Sequence, residues 1–172
     1  MDFFEVVCTR RSIRAFAAGP IGREKLQRIL ETANTAPSAG NLQAYEVFVV
    51  TRRECLGALV RAAGNQDCIA QAAAALVFCA NPARSAPRYS QRGATLYCIQ
   101  DATIACTFAQ LAATALGLAS VWVGAFDDGK VRQALGVGED LWPVAILPIG
   151  YAAEEPAPKP RRSLESLVHT LE

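Results

Sequence analysis

The sequence predicts one α+β domain in which helices pack on a small sheet. Its 172 residues are a length typical of a single domain. Hydrophobic residues make up 52% of the chain, which is enough for a sizeable core. Segments with helical periodicity are interspersed with short apolar segments rich in Val and Phe, which are typical of strands. Helices packed on one sheet would bury both kinds of segment.

The N-terminal part predicts two helices. Asp2, with Glu5 three residues later, predicts a capped helix that runs to about Cys8. A second helix is expected to open at Pro20 and to stop before Pro37. Its apolar residues follow the helical period: Leu26, Ile29, Leu30 and Ala33.

The middle of the chain predicts two strands separated by a helix. Glu46–Thr51 and Ala75–Ala80 have the composition of strands, and Arg53–Ala63 that of a helix. Pro82–Arg92 is polar and contains two prolines, so we expect a loop there without room for an additional helix.

A long helix is expected over Ala94–Leu116. Strands are expected at Ser120–Val123 and Val144–Ile149, on either side of a short helix near Lys130–Leu135. The whole chain, 1–172, is expected to form one domain with residues 152–172 as an extended C-terminal arm. Within that arm Glu154–Arg162 is Pro-rich, and regular structure resumes near Leu164–Leu171.

The long helix needs to be distinguished from a membrane span, because no charged residue lies between Asp101 and Asp127. A narrow polar stripe favours a buried helix followed by a strand. The stripe consists of Gln100, Thr103, Thr107, Gln110 and Thr114. The helix is nevertheless apolar over most of its circumference, which indicates a place in the core or at a subunit interface.

Composition argues against several functional classes. Lys and Arg total 17 and Asp and Glu total 16, so the chain has no global charge for a nucleic acid or an anionic membrane. The six cysteines form no C-x-x-C pair and there is one His, so no metal site is expected. The acidic Met1–Glu5 opening does not resemble a signal peptide. Reduced thiols in a cytoplasmic protein are therefore expected.

Two cationic clusters could bind phosphate. Arg10, Arg11, Ser12 and Arg14 offer three guanidinium groups and a hydroxyl, and guanidinium pairs well with phosphate oxygens. The alternative is a solvated basic helix end. Lys159–Arg162 forms a second cluster, for which the alternative is a disordered basic tail.

Two further segments could contact a polar ring system. Pro37, Ser38, Ala39 and Asn41 belong to a turn-forming segment whose side-chain and backbone groups could hydrogen-bond a heterocycle, although an ordinary loop has the same composition. The strand that ends at Val123–Ala125 could bring backbone N–H groups against a flat ring. The alternative is a buried strand with a tight exit turn.

Together these segments resemble the FMN-dependent nitroreductase family over nearly the whole chain. The resemblance rests on R-R-S-I-R-x-F at 10–16, A-P-S-A-G-N-x-Q at 36–43, A-A-G-N-Q at 62–66, R-Y-S-Q-R-G at 88–93, G-L-A-S-V-W-V-G-A-F at 117–126 and K-P-R-R-S-L-E-S-L-V-H at 159–169. It implies a three-layer α/β/α sandwich around a small mixed or antiparallel sheet. It also implies a homodimer with shared active sites.

The resemblance implies a role for each matched residue. The FMN phosphate would be held by Arg10, Ser12 and Arg161, with Lys159 beside them and Arg11 in the same cluster. Around the flavin ring, the implied contacts are Arg14 near N1 and O2, Asn65 on the pyrimidine edge, Val123, and the backbone N–H groups of Gly124 and Ala125 near N5 and O4. Pro37, Ser38, Ala39 and Asn41 would come from the partner subunit.

The chain departs from better-known members at two positions. Gly124 stands where many have Glu, which matters little for a backbone contact. Cys68 stands where many have Lys, so Arg14 would be the main cation near the reduced flavin. The redox poise is therefore open.

The implied reaction is ping-pong hydride transfer from NADH or NADPH through flavin N5 to electron-poor small molecules such as nitroaromatics or quinones. No side chain is expected to be catalytic, and His169 is expected to be structural. Three alternatives stay open: a specialised relative (dehalogenase, azoline oxidase or flavin-fragmenting enzyme), an FMN-binding module without turnover, and an interaction protein without cofactor.

Overall fold

The computed structural model describes residues 1–171, and Glu172 lies outside the described residues. The helices are α1 (Phe3–Thr9), α2 (Arg23–Asn34), α3 (Arg53–Ala62), α4 (Cys68–Gln71), α5 (Pro82–Arg92), α6 (Cys98–Ala115), α7 (Asp128–Leu135) and α8 (Leu164–Leu167). The strands are β1 (Phe16–Ala17), β2 (Tyr45–Val50), β3 (Ala74–Ala80), β4 (Ala119–Ser120) and β5 (Trp142–Ala152).

The five strands form one antiparallel sheet in the order β1-β5-β3-β2, and β4 also pairs with β5. The 11-residue β5 is the centre of the sheet, because it pairs with three other strands. Leu76 of β3 lies opposite Val49 on one side and Leu147 on the other. The expected α+β class is confirmed, and the sheet is antiparallel rather than mixed.

The sheet has helices on both faces, because successive side chains of a strand point to opposite sides. Leu76 and Phe78 of β3 pack with apolar residues of α2 and α6. Val77 and Cys79 point the other way and pack with apolar residues of α3 and α7. All seven β3 residues are buried. The expected three-layer α/β/α arrangement is therefore confirmed.

The N-terminal cap is present as predicted. The Glu5 amide donates to the Asp2 carboxylate (2.9 Å), and the Asp2 amide donates to the Glu5 carboxylate (2.8 Å). The second helix begins at Arg23 rather than at Pro20. The structure places Ile29 and Ala33 in the core, as the helical period predicted.

The prediction of a loop over Pro82–Arg92 is wrong, because this segment is helix α5. Pro82 occupies the first turn, where its missing N–H group and fixed φ are compatible with a helix. Pro87 lies inside the helix, and Ser90 breaks its geometry with φ 50° and ψ −139°. A π-helical segment, Gly93–Tyr97, then joins α5 to α6. The polar composition belongs to an exposed helix face, and the segment does have room for a helix.

The strand expected at Ser120–Val123 is reduced to a two-residue ladder, Ala119–Ser120, and a single bridge between Val123 and Ile146. The tail after β5 has no regular structure until Leu164–Leu167. The α6 helix is covered largely by its own chain, since none of the large exposed apolar side chains in residues 1–171 lies on it. Such side chains occur instead mainly near the ends of the chain.

The α-helices of residues 1–171 are 4 to 18 residues long. No helix among them combines sufficient length with sufficient apolar character.

The contrast between the centre and the edge of the sheet gives a stability prediction. Leu76→Ala should lower the free energy of unfolding by about 2–5 kcal/mol, because Leu76 is fully buried and leaves a cavity. Val49→Ala is the matched control, since Val49 lies directly opposite on the edge strand and is 40% exposed. Urea unfolding of both variants would measure the difference. Equal losses would show that the packing of β3 against α2 and α6 is not as described.

Candidate functional site

The two predicted cationic clusters line one cavity of about 460 Å³. Arg10, Ser12 and Arg14 form one wall, and Lys159 and Arg161 form the other. The sequence separates these walls by more than 140 residues. No lining residue of the cavity is acidic, so its polar wall is dominated by cations that could bind an anion.

The first wall is positioned by the end of α1 and by an extended segment that follows it. Arg10 directly follows Thr9, the last residue of α1, and caps that end of the helix. Ile13 is buried, and its amide donates to the carbonyl of Ser120 in β4 (3.1 Å). Because side chains alternate along extended backbone, Ser12 and Arg14 are exposed. The Arg11 guanidinium donates to the Cys8 carbonyl (2.6 Å), so it also satisfies one of the last carbonyl groups of α1.

The second wall is attached to the first by Glu154, a residue that the sequence did not single out. The Glu154 carboxylate accepts hydrogen bonds from the backbone amides of Arg14 and Ala15, the latter at 3.1 Å. The Ala153 amide donates to the Ala15 carbonyl at 2.9 Å. The tail therefore starts beside the N-terminal segment, and the basic residues that follow Glu154 reach the cavity.

The positive charges that line the cavity repel one another. Burial lowers the pKa of Arg10, and the neighbouring charges of Arg161 and Arg11 lower it further. Like charges raise each other's free energy when they are held close. A phosphate group in this cavity would relieve that repulsion.

A second group of expected residues lies where α3 ends. Gly64 and Asn65 both have left-handed backbone, with φ 64° and 63°. The Gln66 side-chain amide donates to the Ala125 carbonyl (3.3 Å), which brings this turn against the exit of the Val123 segment. The Asp127 amide donates to the Ala62 carbonyl (2.9 Å) and holds the same two segments together.

Arg14 lines the cationic cavity, and its charge also acts on Cys68, a residue near the second group. Burial raises the pKa of the Cys68 thiol, and the charge of Arg14 opposes that rise. The guanidinium of Arg14 is therefore close enough to act on Cys68, three residues after Asn65. That Arg14 is the main cation at the flavin, where many relatives have a Lys, stays a prediction.

The Val123 segment presents backbone rather than side chains. Val123 is buried and exchanges two hydrogen bonds with Ile146 (2.9 and 3.0 Å). Gly124 and Ala125 are exposed, and within residues 1–171 their amides donate to no backbone acceptor. A Cβ atom added at Gly124 would lie 3.3 Å from Nε1 of Trp122, so a larger residue would press on that ring.

The segment Pro37–Asn41 is not brought to the cationic cavity. Pro37 and Ser38 line a different cavity, of about 410 Å³, together with Gln100, Asp101 and Ile104 of α6. None of the N-terminal arginines lines it. One chain therefore brings the two basic clusters together and leaves this segment apart.

The model of the nitroreductase family matches residues 7–60 and 55–151.

The chain belongs to the nitroreductase family.

Similar proteins agree with this membership. An oxygen-insensitive NADPH nitroreductase of Salmonella typhimurium is 31% identical over 172 residues, covering 96% of this chain and 72% of the relative. An FMN reductase [NAD(P)H] of Bacillus subtilis is 31% identical, covering 92% and 69%. The NADPH:FMN oxidoreductase of Vibrio harveyi, solved with NAD⁺, superposes with a TM-score of 0.90 at 30% identity, covering 99% of this chain and 77% of that one.

Several residues of this family member that hold the segment around Pro37–Asn41 were not expected from sequence. Asp101 is buried and accepts from the amides of Ala39 and Ala44, but a single acid in an apolar helix has no distinctive pattern. Arg84 and Arg88 of α5 contact the carbonyls of the same segment. Arg84 and Arg88 are four residues apart and so lie on one face of a helix, but this pattern has no meaning in the loop that the sequence predicts there. Within residues 1–171 no group of three potential metal ligands is assembled.

The thiols give a prediction for this site. All six cysteines are free, and burial raises the pKa of Cys79 to about 12 and that of Cys106 further. A thiol reagent at pH 8 should therefore modify the exposed Cys8 first, and should reach Cys79 and Cys106 only when the protein unfolds. Mass spectrometry over time would order the sites. Early modification of Cys79 would contradict the packing of β3.

Proposed function

We propose that this chain is an FMN-dependent oxidoreductase that takes hydride from NADH or NADPH and passes it to electron-poor small molecules such as nitroaromatics or quinones. The observation that supports it most is the cationic cavity, which basic residues from both ends of the chain line and to which no acidic residue contributes. The sequence contains no G-x-G-x-x-G fingerprint for a dinucleotide, which favours a mononucleotide with one phosphate.

The residues present fit FMN. Arg10, Ser12 and Arg161 would hold its phosphate, with Lys159 and Arg11 at the same cavity. Asn65 would hydrogen-bond the polar edge of the ring, beside Val123, and Arg14 would supply positive charge near that edge. When bound, FMN supplies the hydride chemistry.

The chain's own contribution is orientation and electrostatics. The exposed amides of Gly124 and Ala125 would donate to ring atoms at which negative charge develops, and their lack of bulk allows a close approach. The positive charge of Arg14 would favour a reduced, anionic ring. No side-chain acid–base pair is required, and the exposed His169 lies in the C-terminal segment.

The names of the relatives support both the cofactor and the donor. The Bacillus subtilis relative is named an FMN reductase, and the Salmonella typhimurium relative an NADPH nitroreductase. The Vibrio harveyi oxidoreductase was solved with NAD⁺. These names make a hydride-transferring enzyme a better proposal than a flavin-binding module.

We also propose a homodimer with shared sites, in which the whole chain is one FMN-binding domain and residues 152–172 form an arm. Large apolar side chains are exposed near both ends of the described chain, which a partner would cover. They are Met1, Phe3, Phe4, Val7, Leu164, Leu167, Val168 and Leu171. In such a dimer Pro37, Ser38, Ala39 and Asn41 of one subunit would complete the site of the other.

The phosphate assignment predicts a difference between two arginines. Arg10→Ala should weaken FMN binding by about 1.5–3 kcal/mol, or roughly tenfold to a hundredfold, because it removes a charge-assisted bond. Arg23→Ala is the control, since Arg23 is exposed at the start of α2. Fluorescence titration with FMN would measure both. Equal affinities would place the phosphate elsewhere.

The proposed activity predicts that the flavin is reduced by the donor. Anaerobic mixing of the FMN-loaded protein with NADH or NADPH in a stopped-flow instrument should bleach the flavin absorbance, and a quinone should then restore it. Gly124→Val should slow the bleaching, because its side chain crowds the ring and Trp122. A flavin that binds but stays oxidised with both donors would identify a binding module.

A further inference from the structure

The segment Ala39–Ala44 has an unfavourable backbone conformation. Gly40, Asn41 and Gln43 all have positive φ values, of 57°, 57° and 43°. For Asn and Gln this region is sparsely populated, so the surrounding structure must hold them there. Such conformations concentrate at ligand-binding sites.

One side of the segment is held by a buried carboxylate. Asp101 of α6 is 2% exposed. One of its oxygens accepts from the Ala39 amide (2.9 Å) and the other from the Ala44 amide (3.3 Å). A buried carboxylate is costly unless it is hydrogen-bonded, so these two bonds fix both ends of the segment relative to α6.

The opposite side is held by two arginines of α5. The Arg84 guanidinium donates to the carbonyls of Leu42 (3.0 and 3.1 Å) and Gln43 (3.0 Å). Arg88 donates to the carbonyl of Gly40 (3.2 Å). A Cβ atom added at Gly40 would lie 2.5 Å from the Tyr89 hydroxyl, so α5 packs directly against the segment.

The backbone of Ala39–Ala44 sets the orientation of Ser38 and Asn41, the two side chains that the proposed FMN site takes from this segment. The Ser38 hydroxyl accepts from both the backbone amide (3.0 Å) and the side-chain amide (3.1 Å) of Gln43. The Asn41 side-chain oxygen accepts from the same Gln43 side chain (2.6 Å). Ser38 and Asn41 are thus oriented before any ligand binds, and their orientation depends on the backbone that Asp101 fixes.

We propose that Asp101 is a positioning residue that holds Ala39–Ala44 so that Ser38 and Asn41 meet the cofactor in the site of the second subunit, with Arg84 assisting from α5. This inference rests on the proposed shared FMN site. It assigns to Asp101 an effect in the partner's site rather than in the site that contains its own chain's Arg10. That distinction separates positioning from general support of the fold.

The test uses Asp101→Asn, which keeps the size of the side chain but leaves one backbone amide facing an NH₂ group. FMN binding by the variant homodimer should weaken at least about tenfold, as for the loss of a charged hydrogen bond. Glu46→Gln is the matched control, because Glu46 is a half-buried acid on neighbouring β2 that accepts from Asn81. The control should bind FMN within about twofold of the unmodified protein.

Subunit mixing then decides where Asp101 acts. Mixed dimers carrying two different tags are purified after refolding, and their FMN content and flavin reduction are measured. Asp101→Asn paired with Arg10→Ala should recover about one working site per mixed dimer, since one site receives Arg10 and an intact segment. Asp101→Asn paired with a Ser38→Ala/Asn41→Ala chain should recover none, because both sites receive a damaged segment. The opposite pattern would overturn the proposal.

One further subunit mixture and one substitute variant distinguish failure of the shared site from failure of the Asp101 proposal. Arg10→Ala paired with the Ser38→Ala/Asn41→Ala chain tests the shared site alone, and no recovery there despite proven exchange would defeat the proposed function and this inference with it. If that mixture recovers activity but Asp101→Asn damages only the site that contains Arg10 of its own chain, the positioning role of Asp101 is wrong and the shared site stands. If Asp101→Asn does not fold, the exposed Arg84→Ala takes its place and should give the same mixing pattern, with a smaller loss of affinity.

Discussion

The central strand β5 is the constraint on which the rest of the structure depends. It pairs with β1, β3 and β4, and most of its residues are buried. A strand buried on both faces requires helices on both sides, and this requirement produces the three layers. Because β1 pairs with the end of β5, the chain leaving β5 lies beside the residues that follow α1. The cationic cavity is a consequence of that pairing.

The cavity also shows how a nearly neutral chain can create strong local charge. The net charge is +1, yet the five basic residues around one cavity have no acidic neighbour in its lining. Glu154 is close by, but its carboxylate accepts from backbone amides and so serves to attach the tail. Charge is thus concentrated by the topology rather than by composition.

Elements with strong local signals were predictable from sequence. The Asp2–Glu5 cap, the apolar β3 strand and the α3 helix follow directly from capping and periodicity. The α5 helix was missed because Pro82 and Pro87 outweighed the other residues, although Pro is tolerated in a first helical turn. The Arg10 and Arg161 clusters could be proposed singly, but their meeting depends on the β1–β5 pairing. The role of Asp101 could not be predicted from sequence, because its partners are backbone amides, which have no sequence signature.

The contact between Glu154 and the amide of Ala15 joins residues 139 positions apart. Closing so long a loop has a large entropic cost and happens after local structure has formed. The cationic cavity therefore depends on the pairing of β1 with β5, two strands that are far apart in the sequence. Partly folded chains have both basic clusters but hold them apart, so they lack a high-affinity anion site. Anion binding at this cavity is in this way coupled to the completion of the tertiary structure, so a bound anion would stabilise the folded chain.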